Sequence, residues 1–333
     1  MSSSEKQKRR SVLVSEIDSD LLSILLQDRT TGTNIIWATD DYAGLGDSYS
    51  FMSPIRIELI AGDNGSVIKP RIEKDRDSQT QRSKDKAEVF TPSWVCNAQN
   101  NLVDDAWFQQ KRKRFNTEKP ESWETNYYPV FFPPKLKKTW EDYVRANRLE
   151  VSCGEAPYLT SRYDTVTGNL IPVKMRIGLL DRKLRIISEN VDQWQTWLKW
   201  AKIALQSTYG YEWQGDNVLL ARENVLLTVA EHYQAKYGRP LGKATLLQFA
   251  DIISWNIWQM DGIKYVVPNT CHEVEDNQLT LFGIEKKKSP CPGCKSGDRL
   301  KHNGIYSTIM DWNENKVIRF VDILEGGKQN GTL

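Results

Sequence analysis

The stretch 149–159, LEVSCGEAPYL, constrains this chain more than any other. An apolar, extended run reaches an acid at Glu150 and then turns through Cys153-Gly154-Glu155-Ala156. A strand that breaks into a loop of small residues ahead of a helix lets backbone N–H groups approach a ligand, and the helix N-terminus adds positive partial charge. Packing alone also produces such loops, so its meaning rests on what stands before and after it.

The 333 residues allow one large or two medium domains. A hydrophobic fraction of 39% and a charged fraction of 26% are those of an ordinary soluble protein. Net charge is +2, so any nucleic-acid binding must come from local patches rather than bulk charge. No apolar run approaches the ~20 residues of a membrane span, and no apolar stretch follows MSSSEKQKRR. Residues 1–11 therefore read as a disordered basic arm, with no membrane partner expected. Five cysteines, an odd count without a signal-like segment, point to a reducing cytoplasm.

Along the chain, 12–27 carries apolar residues at helical spacing, and 33–39 (TNIIWAT) and 55–60 are β-rich. Residues 12–86 thus form a small α+β unit ending in a linker, because 73–86 contains no apolar residue. Basic runs at Lys111-Arg112-Lys113-Arg114 and at Lys135, Lys137 and Lys138 read first as solvated faces and second as contacts to a DNA backbone. From 87 onward loop–helix, strand–turn–helix, strand–helix and strand alternate, with helices over 191–205 and 217–237 and a strand at 208–213. The segment LLQFADIISWNIWQMD is a helix or a strand. This order predicts a parallel, doubly wound α/β sheet over 87–270. Residues 271–333 form a small Cys-containing β tail, with a hairpin around Asn313–Asn315.

Glu212 ends the second strand. In a nucleotide-type site such an acid accepts both ribose hydroxyls and the next side chain, here Trp213, packs on the base. The alternative is that Glu212 caps the following helix. Taken in order, AEVFTP (87–92), LEVSCGEAPYL, YGYEWQGDNVLLARENVLL (209–227) and NIWQMDGI (256–263) resemble the adenine-specific (N6) DNA methyltransferases. These are the modification (M) subunits of restriction–modification systems, and the likeness spans about 80–270. It implies a Rossmann-like sheet binding S-adenosylmethionine. By the resemblance, Phe90, Thr91 and Pro92 line the methionine end of the cofactor. Glu150, Cys153 and Gly154 occupy the acidic strand and turn, Glu212 holds the ribose, Trp213 flanks the adenine, and Asp261 reaches the cofactor's adenine or the target amino group. It further implies DNA as partner, within a restriction or phage-defence complex.

Two features depart from the family. Ala156 stands where many relatives have glycine, which suits a negative φ at that position. The family's catalytic tetrad (Asp, Asn or Ser, then Pro-Pro-aromatic) is missing after Asp261. Phe132-Pro133-Pro134-Lys135 lacks the polar leader and the aromatic follower, and Asp311-Trp312 lacks the prolines. Methyl transfer thus competes with a second reading, a catalytically inactive cofactor- or DNA-binding subunit acting in a complex. A third is an RNA or protein methyltransferase.

Cys291-Pro292-Gly293-Cys294 is a turn of the kind that presents two thiolates to zinc. Cys271 with His302 or His272 is the local supply for a second pair. A structural zinc on Cys271, Cys291, Cys294 and His302 is the expectation, against a reduced pair in a loop. Direct methyl transfer needs no covalent enzyme intermediate, so Cys153 is expected to fill the turn, and His232 to be a structural histidine on its helix.

Overall fold

In a computed structural model of the chain, which describes residues 18–74, 91–112, 114–280 and 283–324, the pattern of 12–27 becomes helix α1, Ser19–Leu26. Asp18 caps it by accepting the N–H of Asp20. The arm 1–11, residues 12–17, the linker 75–86, Phe90 and Lys113 lie outside the described residues. The β-rich runs do not become strands. Residues 33–39 and 51–55 run alongside each other through one isolated bridge, Ile36 to Pro54, and 57–60 is a single helical turn, α2 (Ile57–Ile60). Pro54 has no N–H to give a ladder, and Ala38 takes a left-handed φ of 52°, so the pairing ends after a few bonds.

Helix α3, Ser93–Phe108, starts at Pro92 and stops where Gln109 turns left-handed. An exposed hairpin follows, β1 (Asn116–Lys119) and β2 (Ser122–Thr125). Helix α4, Trp140–Arg145, opens with a Thr139/Asp142 capping box and leads into β3, Arg148–Glu150. Two helices come next, α5 (Leu179–Asn190) and α6 (Trp194–Gln206), before β4, Thr208–Glu212. Two more, α7 (Gly215–Tyr237) and α8 (Lys243–Asn256), precede β5, Ile257–Gln259. The ambiguous segment LLQFADIISWNIWQMD is therefore both: a helix that passes straight into a strand.

The protein is mixed α/β around a three-stranded parallel sheet in the order β3-β4-β5. Its strands are short and its crossovers are helix pairs. Helix α7 is buried on most of its circumference, as expected of a helix with neighbours on several sides. The N-terminal segment shares that core: Leu22, Leu25, Leu26, Ile35, Trp37 and Ile55 belong to one cluster with Leu219, Phe249 and Ile253. Buried Arg222 fastens it, donating to the carbonyls of Leu25, Gln27, Ser254 and Ile257.

The tail holds two hairpins, β6–β7 (Val274–Thr280 with Gly283–Ser289) and the expected β8–β9 (Thr308–Asp311 with Lys316–Arg319), with a short helix α9, Pro292–Ser296, between them. Ile309 and Phe320 pack on Tyr211, Trp258 and Met260, so the tail covers one side of the sheet. No described helix is long and apolar enough to cross a membrane.

Candidate functional site

The carboxyl ends of the three parallel strands gather most of the residues singled out by sequence. After β3 the backbone is left-handed at Ser152 (φ 50°), Gly154 (φ 52°) and Ala156 (φ 63°). For a residue with a Cβ this conformation costs roughly 1–2 kcal/mol. The negative φ anticipated at Ala156 is thus not adopted. Packing and hydrogen bonds hold it instead: its methyl is buried, its N–H donates to Cys153 at 2.7 Å, and its carbonyl accepts from Thr160 at 2.9 Å. Cys153 is a buried filler whose thiol is pushed well up by burial.

Glu212 spans the gap from β4 to this turn. Its Oε2 accepts the N–H of Gly154 at 2.9 Å, and its Oε1 accepts those of Trp213 (2.8 Å) and Gln214 (3.3 Å). Gln214, not Glu212, is the N-cap residue of α7, so the acid fastens the loop ahead of the helix and does not cap it. Burial raises the Glu212 carboxyl against these three donors. Trp213 is turned toward the N-terminal segment, its Nε1 donating to Ala38 at 2.9 Å and its ring edge-on to Phe51. Thr91 and Pro92 reach the same region from α3. The Thr91 carbonyl accepts from Thr165 at 2.9 Å, and Ser93 N–H donates to Asp164 at 3.0 Å, tying 91–93 to the loop that follows the turn. Asp261, just beyond β5, spends Oδ1 on the N–H groups of Ile263 (2.9 Å) and Lys264 (3.0 Å), so it shapes its own loop.

Glu150 is the most perturbed acid of the group. Burial pushes it up to about 8, outweighing the backbone N–H donors of Tyr158 (3.2 Å) and Leu159 (3.0 Å). Between its ordinary 4.5 and about 8 the folded state holds the extra proton, so its contribution to stability is full below 4.5 and is lost as pH rises through 8. At 1.36 kcal/mol per unit that is a loss on the order of 5 kcal/mol. Glu150→Gln should flatten this slope in denaturant titrations at pH 5, 6.5 and 8. It should also lower stability at pH 5, because the amide has one acceptor for two N–H groups. Parallel pH profiles for the two proteins would remove the buried-acid assignment.

Sequence reasoning missed Gln259. Its amide clasps Ile36 as a neighbouring strand would, Oε1 accepting the N–H at 2.9 Å and Nε2 donating to the carbonyl at 2.8 Å, with a second bond to Trp213. The clue was a glutamine between Trp258 and Met260 in a strand otherwise apolar. In both partial tetrad motifs the aromatic ring is engaged in packing or a hydrogen bond. Phe132 packs against Trp107, Phe108 and Tyr143. Asp311 caps the β8–β9 turn, and Trp312 Nε1 donates to Asn256 at 2.7 Å.

A second cluster stands in the tail. Cys271, Cys291, Cys294 and His302 place one donor atom each within 4.8 Å of one another, close enough to bind a metal ion. His302 Nδ1 lies 3.5, 3.6 and 3.7 Å from the three sulfurs in that order. His272 is not in the set. Its N–H and carbonyl are fastened to Asn303, next to the cluster. A Cβ at Gly293 would come within 2.5 Å of His302 N, so glycine is required for the turn to close over the histidine. Burial opposes ionisation of Cys291, yet backbone N–H groups of Asn303, Cys294 and Gly293 together with His302 hold its thiol down at about 6. Cys271 is pushed up to about 12, first by burial and then by the two neighbouring sulfurs.

No family model, curated protein or solved structure matches this chain.

Proposed function

We propose that the carboxyl ends of β3, β4 and β5 bind S-adenosylmethionine, in a chain acting as a DNA adenine-N6 methyltransferase or the modification subunit of a restriction or phage-defence system. One observation carries this reading: the Gly154–Glu212 hydrogen bond, which joins the left-handed turn after one strand to the acid ending the next. Parallel α/β sheets bind ligands at this edge, and left-handed backbone is retained where function needs it.

The residues suit the cofactor. A carboxylate offers about four lone-pair positions, so Glu212 keeps capacity for a ribose hydroxyl beyond its three backbone donors. The turn 152–156 and the Thr91-Pro92 segment would hold the amino-acid end, and Trp213 the base. Bound there, the cofactor supplies an electrophilic methyl group. Asp261, with Oδ1 taken by its loop and Oδ2 3.6 Å from Lys264 Nζ, would accept from an amino group only through lone pairs of Oδ2 that this ion pair leaves over. The absence of an Asp/Asn-Pro-Pro-aromatic run favours the second reading, a cofactor-binding subunit that depends on a partner for transfer.

Calorimetry with S-adenosylmethionine tests the site. Glu212→Ala should weaken binding at least about tenfold, the loss of one charge-assisted hydrogen bond. A thermal melt confirms that the variant is folded, and equal affinities would sink the ribose assignment. Labelled cofactor with unmethylated DNA, alone and with co-purifying subunits, separates enzyme from partner-dependent component.

For the tail cluster we infer a structural zinc site. Tetrahedral zinc with Zn–S near 2.3 Å and Zn–N near 2.05 Å requires S···N separations of about 3.6 Å. The three distances from His302 Nδ1, 3.5 to 3.7 Å, match that edge. Four protein ligands leave no position for substrate, so the role is structural. Residues 271–324 hold eight Lys/Arg and eight Asp/Glu, a balance that favours a clip over a polyanion contact.

A further inference from the structure

The charge of this chain is nearly balanced, but not evenly spread. Residues 111–138 contain eight Lys/Arg against three Asp/Glu, five of the positive excess in a protein whose net charge is +2. The described part of this segment runs from the end of α3 through β1–β2 to the approach to α4, anchored by buried Arg114, Phe115, Asn116 and Val130. Among the described residues, Lys111, Arg112, Lys135 and Lys137 are exposed and in no ion pair. Lysines elsewhere commonly have one, as Lys243 does with Asp18 and Asp20.

The same surface exposes aromatic rings that the core does not use. Tyr128 is 80% exposed, Tyr127 68% and Phe131 56%. Arg112 lies over the Phe131 ring and Lys138 over Trp107. Rings on a mobile loop would mean little, but this loop is fastened. Arg185 donates to the carbonyls of Phe115 (3.3 Å), Asn126 (2.5 Å) and Tyr128 (3.0 Å), and Glu189 accepts the Val130 N–H at 2.8 Å. Asn126 Nδ2 donates to Arg114 at 2.9 Å. The backbone is held while the rings point out.

Beside them Tyr127 lines a cleft of about 350 Å³ with Lys174, Arg185, Ser188, His232 and Lys236. Its size falls in the range of small-ligand sites. His232, the histidine expected to be structural, is buried and fixed by Nε2 to Asp181 Oδ1 at 2.9 Å, and Asp181 is fixed in turn by Ser161. Glu189 also lines the cleft and pairs with Arg185, and Lys236 pairs with Asp192. Among the described residues, Lys174 is therefore the cation left at the rim for a phosphate, with Val173 and Ala235 as apolar wall for a base.

We propose that this face binds a single strand of nucleic acid, its bases stacked on Tyr128 and Phe131, its phosphates on Lys111, Arg112, Lys135 and Lys137, and one base in the Tyr127 cleft. Stacking platforms inside positive tracks are how unpaired strands are held. A protein partner fits less well, because lysine, which supplies most of the charge on this face, is depleted from protein interfaces. The proposal deepens the reading of the chain as a DNA-acting protein but uses none of the donor-site residues. Its Lys111–Arg112 end stands at the opposite end of α3 from the Thr91-Pro92 segment, and the 16 residues of that helix span ~24 Å. The two readings can therefore fail separately.

The test is fluorescence anisotropy of the full chain with a labelled single-stranded 20-mer, its duplex, and heparin as a polyanion without bases. Wild type should prefer the single strand, with an affinity that falls as salt rises. Tyr128→Ala/Phe131→Ala should weaken single-strand binding about tenfold or more while leaving heparin binding unchanged, and Tyr127→Ala should weaken it several-fold. Lys135→Glu/Lys137→Glu should weaken both ligands and flatten the salt dependence. All these residues are exposed at the surface, and melting curves matching wild type would exclude misfolding. Equal binding of strand, duplex and heparin, or aromatic variants that bind the strand like wild type, would overturn the proposal. An unaltered Tyr127→Ala would remove the cleft from it. Loss of cofactor binding in Glu212→Ala has no bearing on these outcomes.

Discussion

Purified from zinc-supplemented cells, the protein should carry about one zinc per chain by elemental analysis, and Cys294→Ser should carry almost none. Cys294 is the exposed ligand, so replacing its sulfur with oxygen removes a zinc bond without opening the core. The effect should be large but local. Structural zinc in small modules contributes about 10–16 kcal/mol of apparent binding energy, much of it spent on folding the module. Here the ion would join three segments. Cys271 precedes β6, Cys291 follows β7, and His302 leads into the return strand. That return is tied to the chain after Asp261 by Val267 N–H to Ile305 at 2.8 Å, Ser307 N–H to Tyr265 at 3.0 Å, the Val266–Tyr306 bridge, Ile305 N–H to Thr270 at 3.0 Å and the His272–Asn303 pair. Asn303 N–H donates to Cys291 Sγ at 3.2 Å, the outer bond that orients a thiolate ligand. Chelation should therefore expose the amides of 265–267 and 303–307 to hydrogen exchange while the helices of the core keep their protection. A separate, lower melting transition should appear in Cys294→Ser. Zinc content near zero in wild type, or identical exchange in both proteins, would leave only a reduced thiol cluster.

How far the sequence alone could be read varied with the kind of force involved. Regular elements with strong periodicity were legible. The 217–237 helix, the 208–213 strand and the hairpin around Asn313–Asn315 all stand within a few residues of their expected places. The Cys/His cluster was legible too, because a Cys-x-x-Cys turn announces two candidate ligands and only one cysteine and two histidines were near enough to complete the set. The N-terminal runs were misread because β-propensity says nothing about a ladder cut short by Pro54 and a left-handed Ala38. The β6–β7 hairpin was missed because VEDNQLT and GIEKKKS carry few β-forming residues; its ends stand beside the Cys/His cluster. The turn after Glu150 was found by its small residues, but not the left-handed Ser152, which only tertiary packing can impose. Least visible of all were buried charges, whose partners lie far apart in sequence.

Asp104→Ala should be the most destabilising substitution outside the tail, at about 3–5 kcal/mol in urea titrations. Asp104, on α3, is 3% exposed, and three groups converge on it. Tyr143 donates to Oδ1 at 2.6 Å, Arg182 to Oδ2 at 2.5 Å, and Arg148 Nη2 stands 3.9 Å from Oδ1. Arg182 is 1% exposed and also holds Asn97 and the Ile177 carbonyl, while Arg148 Nη2 makes no hydrogen bond among the described residues. Truncating the acid leaves two guanidinium groups beside each other with no carboxylate, and an uncompensated buried charge costs 3–5 kcal/mol. The network joins the helix that begins at Pro92 to α5 through Arg182 and to β3 through Arg148, so it sets how the 91–93 segment meets the turn after Glu150. A double variant separates charge from packing. Asp104→Ala/Arg182→Met removes one of the stranded charges together with its acid, and should recover at least about 1 kcal/mol relative to Asp104→Ala alone. If the double variant is no more stable than the sum of the two single changes, packing around Asp104 carries the loss. If Asp104→Ala costs under about 1 kcal/mol, water reaches the arginines and they are not buried as their exposures state.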